Sequence, residues 1–280
     1  MHGRSEVNGQ GFLAAVADIG RQPFHAADVA VVIAHPDDET LGCGALLSRL
    51  KGVHIVVVTD GAPRNLADAT RHGFADADSY SHVRTAELVA ALGEAGVAPA
   101  AITRLRVPDQ EVCRNLTAVT QALRDFFKSQ GIATVLTHAF EGGHPDHDAT
   151  AFCVHAAARL LDRDAPEIVE MPFYHLGPGG GMCLQEFCDG DENCVLFLDA
   201  AERALKGRMV ACHATQRDTL RPFALDLERY RPARAYDFEA LPNGGRVLYA
   251  QYDWGLSPPD WPRLAREARL ALATEAAAWA

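Results

Sequence analysis

The sequence predicts an α/β protein with a Rossmann-like, doubly wound, mostly parallel sheet and a C-terminal elaboration. Four runs rich in β-branched residues follow one another at the spacing of strand and helix units, over residues 29–34, 54–59, 102–107 and 133–137. Helical periodicity fills the segments between them, and polar residues follow each run. Strands that alternate with helices form parallel sheets with helices on both faces.

The predicted elements follow in chain order. A short helix over residues 11–19 precedes the first strand, whose continuous apolar run is typical of a strand buried on both faces. Pro36 suits the first turn of a helix, and helical spacing continues from residue 39 to residue 50. Further helices are predicted over residues 81–95, 116–128 and 145–161, and a fifth strand over residues 168–173.

The pattern weakens beyond residue 173. The glycine-rich run 177–181 is predicted to be a loop, because it lacks the spacing of a dinucleotide fingerprint and no helix follows it. We expect a strand over 195–198, a helix over 200–214, a less regular stretch to residue 242, a strand over 247–252 and a terminal helix over 261–278. No repeat or linker interrupts the chain, so we expect one domain over residues 1–280.

The charge of the chain argues against several classes of partner. The net charge is -11 at pH 7 and the pI is about 5.5, whereas nucleic acids and anionic membranes bind basic surfaces. No apolar run reaches the roughly 20 residues of a membrane span. We therefore expect a cytoplasmic protein that acts on a small molecule, with no nucleic-acid or membrane partner. The alanine-rich terminal helix leaves a homo-oligomer open.

The seven cysteines indicate reduced thiols, because their number is odd and no C-x-x-C pair is present. Cys183, Cys188 and Cys194 form the closest group. Their spacing fits none of the common zinc modules, so a structural metal at these thiols is the weaker interpretation.

The stretch from Ala34 to Glu39 reads Ala-His-Pro-Asp-Asp-Glu and follows the first predicted strand directly. It places the imidazole of His35 and the carboxylates of Asp37 and Asp38 at a strand-to-helix junction. A lone histidine or a pair of aspartates at such a junction is common without any function. In open α/β sheets, however, ligands bind outside the carboxyl ends of the strands.

A second stretch, His144-Pro145-Asp146-His147, follows the fourth predicted strand in the same way. Residues three apart share a helix face, so both histidines can point into one crevice. With His35 and an aspartate of the first stretch, one of them completes a set of two histidines and a carboxylate. Three protein ligands and a free position for water are typical of catalytic zinc, although ferrous iron or another divalent metal suits the same donors.

Together, the two stretches resemble the LmbE-like, or PIG-L, family of metal-dependent N-deacetylases. The resemblance covers about residues 29–216, the predicted core of the domain. It continues through several further positions: Thr59-Asp60-Gly61, Arg84, Glu87, Asp109 and the run from Cys212 to Gln216.

The resemblance implies a role for each matching residue. The metal ligands would be His35, Asp38 and His147. Asp37 would be the general base, and His144 would act as an acid or oxyanion stabiliser that Asp146 orients.

Arg84 and Asp109 are the predicted substrate contacts. Both are expected on the rim where the metal lies, and a guanidinium and a carboxylate suit the vicinal hydroxyls of a sugar. The alternative is that Arg84 and Glu87, three apart on a predicted helix, form a surface pair.

The resulting expectation is a zinc-dependent hydrolase that removes the N-acetyl group from an N-acetylglucosamine-type unit of a small conjugate. One alternative is an amidase that cleaves a larger N-acyl group from a thiol conjugate or a glycopeptide antibiotic. The other is a sugar-binding module without turnover, against which the presence of Asp37 and His144 argues.

The chain departs from the family at a few positions. Some members carry a tyrosine close before the second stretch, where this chain has Gly142 or Gly143. Some also carry an acidic residue where this chain has Ala62. Residues 177–193 match nothing in the family, and we expect them to shape the specificity pocket.

Overall fold

The computed structural model describes residues 9–18, 21–190 and 194–278. The strands are β1 Phe24–His25, β2 Val29–Ile33, β3 Leu50–Lys51, β4 His54–Thr59, β5 Ile102–Val107, β6 Thr134–His138, β7 Glu167–Met171, β8 Tyr174–Leu176, β9 Met182–Leu184, β10 Cys194–Phe197 and β11 Leu227–Pro232. The helices are α1 Gly9–Ala17, α2 Asp38–Leu47, α3 Ala67–Arg71, α4 Ala77–Glu94, α5 Leu116–Gln130, α6 Pro145–Leu160, α7 Ala200–Cys212, α8 Arg217–Leu220 and α9 Trp261–Ala278. None of these helices combines the length and the apolarity that crossing a bilayer requires.

Seven strands form the central sheet, in the order β10-β11-β7-β6-β2-β4-β5. The five strands from β7 to β5 are parallel. Strand β11 runs antiparallel to β7, and β10 runs antiparallel to β11. The chain moves outwards from β2 through β4 to β5 and then returns to β6 and β7 on the other side of β2. The predicted doubly wound, mostly parallel α/β fold is confirmed.

Strands β2 and β6 are neighbours at the point where the strand order reverses. The loops that follow them leave in opposite directions, and a crevice forms at the carboxyl ends of the two strands. Ligands of open α/β sheets bind in this crevice. The topology alone therefore predicts a binding site among the residues that follow β2 and β6.

The central strands are buried on both faces. Val31 and Ile33 of β2 pack into a cluster with apolar side chains of α2, α4 and α7, whereas Ala30 and Val32 face a second cluster with α5, α6 and α9. This alternation is the period of two of a β-strand. Burial of a side chain as large as Ile33 stabilises the fold by about 1.5–3 kcal/mol, so the crevice rests on a rigid base.

Helix α2 is kinked at Cys43, where φ is -147°. The buried carboxylate of Glu228 accepts hydrogen bonds from the amides of Ala45 (2.9 Å) and Leu46 (3.2 Å), just beyond the kink. The buried ammonium of Lys206 pairs with the same carboxylate at 3.0 Å. Side chains thus satisfy backbone groups that the kink removes from the helix ladder.

Most predicted elements agree with the structure within a few residues, but two predictions for the last third of the chain are wrong. Residues 247–252 do not form a strand: Leu248–Gln251 is a short 3-10 turn, and the Leu248 amide donates to the carbonyl of Gly142 at 2.6 Å. The stretch expected to be less regular contains β11, which pairs with β7 and β10.

The segment expected to shape the pocket is partly regular. The glycine-rich loop 177–181 joins β8 and β9, which form an antiparallel hairpin. Residues 191–193 of that segment lie outside the described residues, as does Ile19 of the predicted first helix. All seven cysteines are free thiols, and no possible metal-binding group among the described residues includes Cys183, Cys188 or Cys194.

Candidate active site

The two sequence motifs meet at the carboxyl ends of β2 and β6. His35 follows β2, and Asp37 is the N-cap of α2. His144 is the N-cap of α6 and His147 lies in its first turn. The eight residues that the sequence singled out are all buried, with at most 8% of their surface exposed: His35, Asp37, Asp38, Arg84, Asp109, His144, Asp146 and His147. Buried charged groups are costly unless they are paired, so the contacts of each residue indicate its role.

Donor atoms of His35, Asp38 and His147 form a compact triangle. His35 Nδ1 lies 3.3 Å from His147 Nε2 and 3.4 Å from Asp38 Oδ2, and His147 Nε2 lies 3.3 Å from Asp38 Oδ1. Two nitrogen or oxygen ligands of one tetrahedral zinc ion lie about 3.3–3.4 Å from each other. The Asp38 Oδ2 atom also accepts the amide hydrogen of His35 at 2.7 Å, which holds the carboxylate in place. Residue types and spacing therefore fit a divalent metal held by three protein ligands.

A second group of three possible ligands, His35, His144 and Asp146, lies beside the first. Backbone amides already donate to atoms of two of its three residues. His144 Nδ1 accepts the amide hydrogen of Asp146 at 3.1 Å, and the two oxygens of the Asp146 carboxylate accept the amide hydrogens of Gln110 (2.6 Å) and Val112 (3.1 Å). The triangle of His35, Asp38 and His147 is the better metal site.

Two carboxylates set the orientation of His35. Its Nε2 lies 3.1 Å from Asp109 Oδ1 and 3.5 Å from Asp146 Oδ2. With the hydrogen on Nε2, the lone pair of Nδ1 faces Asp38 and His147, as a ligand requires. Burial opposes protonation of His35, but the charge and hydrogen bond of Asp109, with help from Asp146 and Asp38, raise its pKa well above the usual value. Such an anionic environment favours a bound cation.

We expect Asp109→Asn to weaken zinc binding by about 10–100-fold without loss of the fold, because the carboxylate that orients a ligating histidine is removed. Competition with a chelator of known affinity measures the change, and Asp125→Asn, at an exposed helical position, is the matched control. The sequence predicted Asp109 as a sugar contact. Unchanged zinc affinity combined with a raised KM would favour that earlier role over the one proposed here.

Asp37 has a strained backbone, with φ at 140°, a region that favours glycine. Its amide donates to Glu39 Oε2 at 3.0 Å, and its carboxylate accepts a hydrogen bond from Arg84 at 3.1 Å. Glu39 lies 3.4 Å from the imidazole of His213, a residue of the motif near Gln216. Burial raises the pKa of Asp37 to about 7, against the lowering effect of Arg84. The carboxylate is therefore fixed beside the metal donors with a pKa that suits a base near neutral pH.

The guanidinium of Arg84 is engaged with the protein. Besides Asp37, it donates to the carbonyl of Gly61 at 2.9 Å. Gly61 has φ of 65°, and a Cβ at this position would lie 3.0 Å from the guanidinium carbon. The alternative partner Glu87 instead accepts two hydrogen bonds from Thr215, at 2.9 and 2.6 Å. We therefore interpret Arg84 as a positioning residue for Asp37, in place of the sugar contact that the sequence suggested.

His144 is fixed as one tautomer. Because its Nδ1 accepts the Asp146 amide hydrogen at 3.1 Å, the neutral ring carries its own hydrogen on Nε2. Burial lowers the pKa of His144 well below its usual value, and His35 and His147 add to the effect. Asp146 thus orients His144 through its backbone N–H and not through its carboxylate, which holds the loop at residues 110–112.

Sequence reasoning assigned no role at the site to three side chains. His138 ends β6 and stacks on His147, with ring centroids 4.1 Å apart. The ring of Tyr174 lies 5.2 Å from that of His147, and the ring of Trp254 lies 4.8 Å from that of His144. The position of His138 at a strand end was a usable signal. Tyr174 and Trp254 belong to no recognisable motif, so no pattern in the sequence pointed to them.

Strand β8 passes unusually close to the second motif. A Cβ at Gly143 would lie 2.0 Å from the carbonyl oxygen of Tyr174, so only glycine allows this approach. The approach brings the Tyr174 ring to the wall of the site. Burial, together with the charges of Asp38 and Asp37, raises the pKa of Tyr174 well above its usual value. The phenol therefore keeps its hydrogen near neutral pH.

Comparison with known proteins gives one family match and several similar folds. Residues 30–158 match the family model described as PIG-L: GlcNAc-PI de-N-acetylase. No curated protein gives a match. Similar solved structures include the zinc-inhibited form of a teicoplanin deacetylase, at 18% identity over 76% of this chain and 100% of that chain with a TM-score of 0.56. They also include a deacetylase–teicoplanin complex, at 20% identity over 76% and 100% with a TM-score of 0.55.

A third similar structure is the N,N'-diacetylchitobiose deacetylase from Pyrococcus horikoshii, at 18% identity over 72% of this chain and 82% of that chain with a TM-score of 0.54. At such identities the likeness shows a shared fold. The family match, in contrast, includes both motifs and the elements from β2 to α6 that present them. Over residues 30–158, the chain matches the model of the PIG-L, or LmbE-like, family.

Proposed function

We propose that the chain is a metal-dependent N-deacetylase that hydrolyses the N-acetyl group of an amino sugar in a small conjugate, with zinc as the metal. The observation that carries this proposal is the triangle of His35, Asp38 and His147 donors beside the Asp37 carboxylate and the His144 imidazole. The family description names an N-acetylglucosamine conjugate, and one structural neighbour is a diacetylchitobiose deacetylase. Both support an amino sugar as the substrate.

The residues around the triangle account for the remaining chemistry. His35, Asp38 and His147 would hold the divalent metal, which would lower the pKa of a water molecule and polarise the acyl oxygen. Asp37, held by Arg84 and Glu39, takes a proton from the attacking water. His144 donates its Nε2 hydrogen to the oxyanion that develops as the carbonyl carbon becomes tetrahedral, with the Tyr174 phenol as a further donor. Asp37 then gives the proton that it took from the water to the nitrogen, the C–N bond breaks, and acetate and the free amine leave.

Acetate release from a panel of N-acetylated amino sugars tests the proposal. We expect the zinc-loaded protein to release acetate, a chelator to stop the release, and added zinc to restore it. Asp37→Asn protein purified in the same way shows whether a contaminating enzyme contributes. Comparing the turnover of protein loaded with zinc, ferrous iron or cobalt would identify the metal that supports the highest activity.

The same panel separates the alternatives. Substrates with longer acyl chains should be poorer than the acetylated ones, and a clear preference for a long chain would favour an amidase. Sugar binding without release of any acid, with zinc bound, would favour a binding module. Neither of these outcomes is compatible with the proposed activity.

A further inference from the structure

Three aromatic side chains lead from the candidate active site to the surface, and we call them the aromatic row: Tyr174, Trp254 and Tyr252. The Trp254 ring lies 4.8 Å from the ring of His144 and 6.5 Å from that of Tyr174. Tyr252 stacks on Trp254, with centroids 4.3 Å apart and planes only 7° from parallel. Tyr252 is 44% exposed, whereas Trp254 is half-buried. The row therefore begins at a residue of the proposed mechanism and ends in solvent.

The base of the aromatic row is closely packed. Gly255, which follows Trp254, has φ of 73°, and a Cβ there would lie 2.6 Å from the carbonyl oxygen of Gln110. The amides of Gln110 and Val112 donate to the buried carboxylate of Asp146. One carboxylate thus holds the loop on which the turn after Trp254 rests, and the same residue orients His144. The position of the row is therefore coupled to that of the reacting groups.

We propose that the aromatic row is a subsite for a second ring of the substrate, a sugar ring linked to the amino sugar whose amide is cleaved. The inference rests on the proposed function and narrows its small conjugate to one that carries a second ring beside the amino sugar. The face of an aromatic ring is electron-rich, and one face of a pyranose presents C–H bonds, so the two stack. The outer face of Tyr252 offers the free surface for this contact.

The surroundings of Tyr252 suit a hydroxyl-bearing ring. Its neighbours Gln251 and Asp253 are polar and exposed, so hydrogen-bonding groups lie next to the apolar ring face. Binding sites for small molecules combine aromatic surface with a few polar groups in this way. The row lies outside residues 30–158, which match the family model.

Kinetics on three substrates test the subsite: N-acetylglucosamine, diacetylchitobiose and the phenyl glycoside of N-acetylglucosamine. The preference is measured as the ratio of kcat/KM for diacetylchitobiose to kcat/KM for N-acetylglucosamine. We expect this ratio to exceed one in the wild-type protein. Tyr252→Ala should lower this ratio by about 3–10-fold, mainly through KM, because one stacking contact is lost. Tyr252→Phe should keep the ratio, since the ring face remains.

Phe197→Ala, at an exposed aromatic residue on the edge strand β10, is the control that should leave the ratio unchanged.

Several results would overturn the inference. One is an unchanged ratio in Tyr252→Ala, and another is an equal loss on all three substrates, which would assign Tyr252 to the scaffold. If the protein prefers the phenyl glycoside but not the disaccharide over N-acetylglucosamine, the subsite binds an aromatic ring and not a sugar ring. A change of oligomeric state in Tyr252→Ala, measured by size-exclusion chromatography, with the substrate ratio unchanged would assign the row to contacts between copies of the chain.

A binding measurement keeps the subsite separate from the catalytic proposal. Titration calorimetry with chitobiose, the fully deacetylated disaccharide, needs no turnover. Weaker binding by Tyr252→Ala than by the wild type, with equal binding of glucosamine, supports the subsite even if the protein releases no acetate. If the wild type releases acetate but binds chitobiose no better than Tyr252→Ala does, the deacetylase proposal stands and the subsite is rejected.

Discussion

Replacing Asp37 by asparagine is expected to lower kcat by about 10²–10⁴-fold, the usual scale for the loss of a general base, while zinc stays bound. Asparagine has nearly the same shape and can still accept the hydrogen bond from Arg84, but it cannot take a proton from water. The Asp37 side chain is not one of the three donors of the metal triangle, so the zinc content should not change. The effect should appear in kcat and in kcat/KM alike.

Steady-state acetate release and zinc analysis of the same samples check this expectation. Asp78→Asn is the matched control, because Asp78 also lies at the start of a helix but is exposed. Arg84→Gln should lower kcat as well, since Asp37 then loses its positioning partner, but a smaller effect is expected because the base remains. Near-normal turnover by Asp37→Asn would show that another group accepts the proton.

Alanine at any of His35, Asp38 or His147 should abolish tightly bound zinc and, with it, measurable activity. A site with three protein ligands has no spare donor, so the loss of one leaves two ligands and open positions for water. Each variant is dialysed against a weak chelator and its metal content is measured by elemental analysis. His155→Ala is the matched control, because His155 lies on the same helix as His147, beyond its first turns.

The two possible ligand groups make different predictions in this experiment. Stoichiometric zinc in all three variants would refute the triangle. Zinc retained by His147→Ala but lost from His144→Ala would assign the metal to the group that contains His144 and Asp146. Circular dichroism of each variant shows whether a loss of metal reflects a loss of the fold.

The parallel part of the fold could be predicted because its strands are rich in β-branched residues and alternate with segments of helical periodicity. The strands β4 and β5 and the helix α9 have the bounds that the sequence predicts, and β2 is one residue shorter than predicted. Strand β11 could not be recognised, since it buries the charged residues Glu228 and Arg231. Their partners, Lys206 and Glu170, are distant in sequence. A strand whose charges are neutralised only in the folded protein looks like a surface segment.

The same limit applies to the site. His35, Asp38 and His147 meet as their motifs suggest, because both motifs follow neighbouring parallel strands. The sequence around Arg84 does not show whether its side chain contacts the substrate or Asp37. The sequence around Asp109 likewise does not show whether its side chain contacts the substrate or His35. That distinction depends on tertiary partners. Trp254 was out of reach for a related reason, since only the close packing of Gly255 on Gln110 brings it to His144.

The contact between Gly143 and β8 limits how this sequence can change during evolution. A side chain can be gained at position 143 only if the Tyr174 carbonyl gives up its place, so the hairpin of β8 and β9 must then shift or disappear. Relatives with a larger residue just before the second motif should build this wall of the site from that residue, and relatives with glycine should build it from the hairpin. The two segments are therefore expected to be inherited as one unit. A chimera that exchanges one of them alone should lose the wall.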